Sequence, residues 1–377
     1  MIYVLLTFLV IACLFVARKI NLPDLRFSEY RLKSLIRWHG GNYTSADNRF
    51  NSPIVKIDLA NAVDTITLLP RINRLSHLKE LSLNFTDVND IILEHLNHLP
   101  ALEHLELKRA NITNKTLKHM VSFPHLEYLD LDRTGITDDG LRYFKDLHRL
   151  KVLILNGTAI TDKGLASLKD LTLLTHVDLS GTKITGEGFT AFGIVPSLKD
   201  LDLSHTCFID EHASQLSKFP NLQILNFRYT HLNDNGLAQL KTLPSLRELD
   251  LGWTRVSNDG LTVLKELPRL SSLNLSTTKI TSDGLKHLEK LTELQWLYLF
   301  NTFVTDDSLV YLQGLENLRE LDLSCTQITN TGLKHLKALK SLNMLELDDT
   351  KVSDEGMSDL MEALPGMMIY FSARVLH

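Results

Sequence analysis

Carboxylates recur at one position of this chain's internal period: Asp178, Asp202, Asp250 and Asp322. Paired carboxylates can carry acid–base chemistry when their surroundings push their pKa values apart. On neighbouring strands they would stand about 5 Å apart, where like charges destabilise a sheet. An open, wet face supplies little desolvation to split them, so catalysis is not expected. Such a stripe suits a basic partner. The bland alternative is that Leu-Asp-Leu is habitual in this repeat and water screens the cost.

Aromatic side chains form the sharper signal. Trp296, Tyr298 and Phe300 alternate along one short strand, with Trp253 two periods earlier and Tyr229, beside Arg228, three periods earlier. Between them lie Ser272, Asn274, Ser276 and Thr277, all small or polar. Aromatic walls about 10 Å apart over such a floor would form a pocket for a partner's side chain or loop.

Other chemistry is thin. The fifteen histidines show no metal-ligand spacing, and His95 and His98 read as solvated surface. Cys13, Cys207 and Cys325 are too few for a disulfide framework or a four-ligand zinc site. No phosphate loop, dinucleotide fingerprint, nucleophile elbow or metalloprotease motif occurs. The reading is a non-enzyme with no cofactor and no metal. Six Asn-x-Ser/Thr triplets are by-products of the period.

That period is 24 residues. Leucines stand at 78, 102, 126 and every 24th residue to Leu342 without a slip. Each unit opens L-x-x-L-x-L, a short strand with one apolar face. A tight turn comes next, then a polar pair such as Thr-Asp that can cap a helix. The remaining apolar residues are spaced by three and read as helical. A threonine column runs beside the strands at Thr86, Thr134, Thr158, Thr182, Thr206, Thr230, Thr254, Thr278, Thr302, Thr326 and Thr350, broken only by Ala110. Buried hydroxyls need partners, so each should bond turn backbone in its own or the neighbouring unit, as a structural ladder. One unit cannot bury its apolar face alone, and stacking makes a continuous core.

The first residues differ. Residues 1–17 are apolar except for Thr7, about 25 Å of helix, the short end of a membrane crossing. An uncleaved anchor is expected over a cleaved signal, because a basic leading region and a small-x-small site are missing. Six basic and two acidic residues give residues 1–40 a net +4, leaving −9 for the rest of a chain at −5. Basic residues after a span favour the cytoplasmic side for the remainder of the chain, and can also rest on anionic headgroups. A helix from Ser28 to about His39, ended by Gly40-Gly41, should cover the open end of the array.

The unit L-x-x-L-x-L-x-x-T-x-I-T-D-x-G-L, clearest in TGITDDGL (134–141) and TAITDKGL (158–165), resembles leucine-rich repeats. It is most similar to the cysteine-containing type found beside F-boxes, with Thr in place of Cys. His39-Gly40-Gly41 followed by Val55-Lys56-Ile57-Asp58-Leu59 also resembles bacterial leucine-rich-repeat proteins with an N-terminal anchor or export signal. The resemblance covers residues 50–372. It implies an α/β solenoid: a leucine-rich-repeat horseshoe with a parallel concave sheet, convex helices and a protein partner.

The expected organisation is therefore an anchor or signal segment at 1–17 and a basic juxtamembrane segment with a capping helix at 18–53. A degenerate first repeat comes next at 54–77, then twelve repeats at 78–365 and a final strand and cap at 366–377. With pI ≈ 6.3 a general nucleic-acid role is not expected. The functional expectation is a membrane-tethered scaffold binding a protein, basic if the acidic stripe is used, on its concave face. The alternatives are a self-associating envelope protein and, more distantly, F-box-like substrate recognition without an F-box. The sequence leaves the oligomeric state open.

Overall fold

The computed structural model describes residues 29–47 and 52–371. Residues 1–28, including the apolar run and Ser28, lie outside the described residues. Among the described residues no helix is long and apolar enough to cross a membrane.

Fifteen strands form one sheet in chain order. β1 (Asn42–Ser45) and β2 (Ile54–Asp58) lead, and β3 (Glu80–Ser82) through β14 (Met344–Glu346) begin every 24 residues. β15 (Met368–Tyr370) ends the sheet. From β2 onward every pairing is parallel with its register offset by one period, as in Leu81↔Leu105 and Leu273↔Leu297. The alternating pattern explains the geometry. Leu81, Leu105 and their repeats are fully buried in one core, while the residues on either side face out.

Each strand stops after three residues because the chain turns. Each column threonine is buried or half-buried and donates its hydroxyl to the carbonyl three residues earlier, for example Thr134 to Leu131 at 2.7 Å and Thr278 to Leu275 at 2.6 Å. All eleven do so, each within its own unit. They are local staples of the turn and not a ladder between units.

The helical side is made of short segments, many of them 3₁₀, such as Ala238–Thr242 and Gly260–Glu266. Leu237, Leu240 and Leu243 are all buried and spaced by three. A 3₁₀ helix has three residues per turn, so this spacing aligns on one face without an α-helical register. In the last unit, helix Asp354–Ala363 is α-helical, with Leu360 and Leu364 buried four apart. Gly366 stands where the repeat's leucine would, and Met367 takes the buried place.

The bonds that join units run elsewhere. In Thr-Asp-x-Gly the polar pair reads as a helix cap, but the Asp reaches into the next unit. Asp138 accepts the Thr161 backbone N–H at 2.8 Å and its hydroxyl at 2.6 Å. Asp306 does the same to Thr329, Asp234 to Ser257 and Asp90 to Thr113. This contact accounts for the motif's Gly. A Cβ on Gly164 would stand 2.5 Å from Asp138 Oδ1, and one on Gly332 2.5 Å from Asp306 Oδ1. Two exceptions are paired changes, while at a third Asp90 is kept and Thr116 stands in the Gly place, donating its hydroxyl to Asp90 at 2.6 Å. Gly186 replaces the Asp where the next unit has His212 in place of Gly, and Ser282 replaces it where the next unit has Ser308.

The leading end is closed by α1 (Glu29–Trp38), whose Leu32 and Ile36 are buried. Lys33 and Arg37 lie over the Tyr43 ring at 5.6 and 5.1 Å. β1 pairs antiparallel with β2 and shields its edge. Its residues, Asn42-Tyr43-Thr44-Ser45, carry no alternating apolar pattern. Gly41 lets the chain pass, because a Cβ there would meet Leu59 at 2.5 Å.

Candidate functional site on the concave face

The turn after each strand contains one residue in the left-handed region. Its φ is 58° at Phe85, 56° at Tyr229 and 54° at Trp253. Gly157 and Gly181 occupy the same position with φ 62° and 64°. Left-handed backbone costs a residue with a Cβ about 1–2 kcal/mol. The turn is fixed regardless of side chain, because this residue's N–H bonds the next unit. Tyr229 donates to Gly252 O at 3.0 Å and Trp253 to Ser276 O at 2.9 Å.

Upon this pinned backbone the rings stack. His205 lies 4.4 Å from Tyr229, and Tyr229 lies 4.8 Å from Trp253, both pairs at 23°. The Arg228 guanidinium sits 4.0 Å over the Trp253 ring and 5.5 Å from that of Tyr229. Phe300 crosses the unit of Thr277 and stacks on Trp253 at 6.3 Å. The expected gap of about 10 Å between aromatic walls is therefore bridged at the edge where Phe300 meets Trp253. Counting strands gives the backbone separation, but Phe300's own reach closes the space. The result is a continuous aromatic and guanidinium strip along the rim.

Trp296 and Tyr298 belong to β12 (Trp296–Tyr298) and are half-buried. Ser272 and Asn274 flank them on one side, and Glu320 and Asp322 on the other. Burial, followed by the Glu320 charge, holds the Tyr298 phenol well above its ordinary range. The small side chains beside it leave one flank of these rings open.

The acidic column does structural work. Each carboxylate accepts the backbone N–H two residues on: Asp178 from Ser180 at 2.8 Å, Asp202 from Ser204 at 2.7 Å, Asp250 from Gly252 at 2.8 Å and Asp322 from Ser324 at 2.8 Å. Side-chain amides reduce the repulsion. Asn226 donates to Asp202 at 2.9 Å and Asn274 to Asp250 at 3.0 Å. Burial raises the carboxyls of Asp178 and Asp250 above the usual range, with neighbouring Asp202 adding to both. Asp322 is itself buried. The column is thus a set of turn-forming side chains whose carboxylates, half-buried at Asp178, Asp202 and Asp250, colour the concave face negative.

His205 was not legible as part of the site. The signal that could have found it is its column, which it shares with Tyr229 and Trp253 at 24-residue steps. Among the described residues no group of three or more His, Cys, Asp or Glu is placed to hold a metal. An open groove of about 850 Å³ lies at the far end, lined by Asp354, Met357, Met361, Glu362, Ile369 and Phe371.

Family models described as leucine rich repeat match residues 124–184 and, for a second model, residues 242–265 and 314–337. No curated protein sequence matches the chain. Three solved structures illustrate the likeness. An internalin (inlF) of Listeria monocytogenes is 19% identical, with TM-score 0.62, over 91% of this chain and 94% of its own. A leucine-rich-repeat protein of Leptospira interrogans is 21% identical, with TM-score 0.51, over 80% and 92%. The mouse RP105/MD-1 complex is 21% identical, with TM-score 0.55, over 74% and 47%. At such identities the likeness is one of fold, and the fold is the leucine-rich-repeat horseshoe, commonly used for protein–protein recognition.

Proposed function

We propose that the protein is a recognition scaffold that binds a protein partner on its concave face, tethered to a membrane through residues 1–17. One observation carries the binding site. Tyr229 and Trp253 stack on each other and on His205 and Phe300, with the Arg228 guanidinium over the Trp253 ring, at turn positions that the other repeats fill with unrelated residues. The strip of His205, Tyr229, Arg228, Trp253 and Phe300, continued by Trp296 and Tyr298, has the residue types of a binding anchor. The half-buried carboxylates of Asp178, Asp202 and Asp250 beside it favour a basic partner segment.

The apolar run 1–17 and the basic residues after it support the tether, with the solenoid on the cytoplasmic side. Photo-crosslinking in cells tests the binding face. A crosslinker at Ser272 is expected to trap a partner, and one on the convex side at Lys286 is not. Adducts from Lys286 alone would overturn the assignment.

A further inference from the structure

The leading end of the solenoid exposes an apolar patch with a basic rim. Trp38, the last residue of α1, is 84% exposed, and Val63 is 65% exposed. The two segments are tied together. His39 Nδ1 lies 2.7 Å from Val63 O, and the Val63 N–H donates to His39 O at 3.3 Å. Ile66, three residues on, is also exposed. Arg31 and Arg37 on α1 and Arg71 in the first repeat are exposed, Arg37 with its guanidinium over the Tyr43 ring. Arg71 Nη1 donates to Thr67 O at 2.7 Å, which holds its guanidinium next to Ile66. Two acidic residues also stand at the patch: Asp64, and Asp87, which accepts the Thr65 hydroxyl at 2.6 Å.

The core does not need these side chains outward. Leu32 and Ile36 already close the end, and β1 already covers the sheet edge. An exposed Trp beside Arg, with smaller apolar neighbours, has the composition of a membrane interface: the ring enters the headgroup layer and the cations meet anionic lipid. Place in the chain gives the second argument. Only residues 18–28 separate the apolar run from α1. Eleven residues reach about 40 Å at full extension, so a chain inserted through residues 1–17 holds this end near the bilayer surface at high effective concentration.

We infer that the Trp38, Val63 and Ile66 end of the solenoid seats on an anionic lipid surface, standing the horseshoe on its leading end. The inference rests on the tether reading for its effective concentration, and it sets the orientation of the concave face.

The test uses the full chain with vesicles of phosphatidylcholine, with and without phosphatidylglycerol, carrying brominated acyl chains. Trp38 emission is taken as the difference between wild type and Trp38→Phe. Trp253 lies about eight units away, roughly 40 Å by strand spacing, beyond such quenchers. Carbonate-resistant flotation with quenched Trp38, weakened by Arg31→Glu with Arg71→Glu in anionic vesicles only, is the expected result. Carbonate-resistant flotation without quenching overturns the inference and leaves the tether standing. Flotation stripped by salt, with quenching, supports the surface contact and removes the tether. No flotation removes both. Trp38 shielded without lipid in proportion to protein concentration assigns the face to a second copy and overturns the inference.

Discussion

Asp178 and Asp250 show how a single side chain serves and strains the fold together. Each forms a turn by accepting an N–H two residues on, and each has its carboxyl raised by burial. A carboxyl whose folded pKa exceeds its unfolded one holds its proton more tightly when folded. Its ionisation therefore costs stability as pH rises through that interval, and the cost is absent below the unfolded pKa. Asn226 and Asn274 make the same turn without the charge. Asp178→Asn should accordingly raise the neutral-pH thermal midpoint by about 1–3 °C, from roughly 0.5–1 kcal/mol of relieved charge burial and, secondarily, repulsion from Asp202. The gain should vanish as pH falls towards 4. A gain that grows on acidification would contradict the stated cause. Ala110 is the converse case, a turn lacking its hydroxyl. Ala110→Thr should restore the bond to Leu107 O and add about 1 kcal/mol, read by denaturant unfolding. Equal or lower stability would mean that the site cannot seat the extra atoms.

Between elements, one unit is joined to the next by the Asp–Thr–Gly contact. Gly164→Ala pushes a methyl against Asp138 Oδ1 and should cost about 1–3 kcal/mol as overpacking. Adding Asp138→Ser should recover part of that loss, because Ser282 beside Ser308 already shows the smaller pair. Additive losses in the double variant would mean that the two sites do not touch. This contact also marks where sequence reading stopped. Strand positions and core columns were plain, because period 2 and period 24 are visible within and between units. The partner of Asp138 was not. Asp138 and Gly140 lie in one unit, but the Asp138 carboxylate meets Gly164, which only stacked neighbours bring together. β1 escaped for a different reason: its four polar residues carry no apolar alternation, and tertiary pairing alone makes them a strand.

Across the whole molecule, the concave face is a rigid sheet whose variable positions the core does not dictate. The aromatic residues of the site were legible there, and their arrangement was not. Strand spacing predicts a slot between Trp253 and Trp296, and Phe300, two residues beyond β12, reaches across to Trp253 with ring centroids 6.3 Å apart, because a side chain spans a gap that a backbone count leaves open. The most direct test is binding by the crosslinked partner, once purified, to wild type and to two double variants, Trp296→Ala with Tyr298→Ala and Tyr229→Gly with Trp253→Gly. Each should lose at least about 2 kcal/mol of affinity, roughly thirtyfold, as hot-spot truncation does. The glycine pair should keep its thermal midpoint, because relief of left-handed strain, about 1–2 kcal/mol per residue, offsets the lost stacking, about 0.5–1.5 kcal/mol. Unchanged affinity in both variants, with both folded, would contradict the concave-face account.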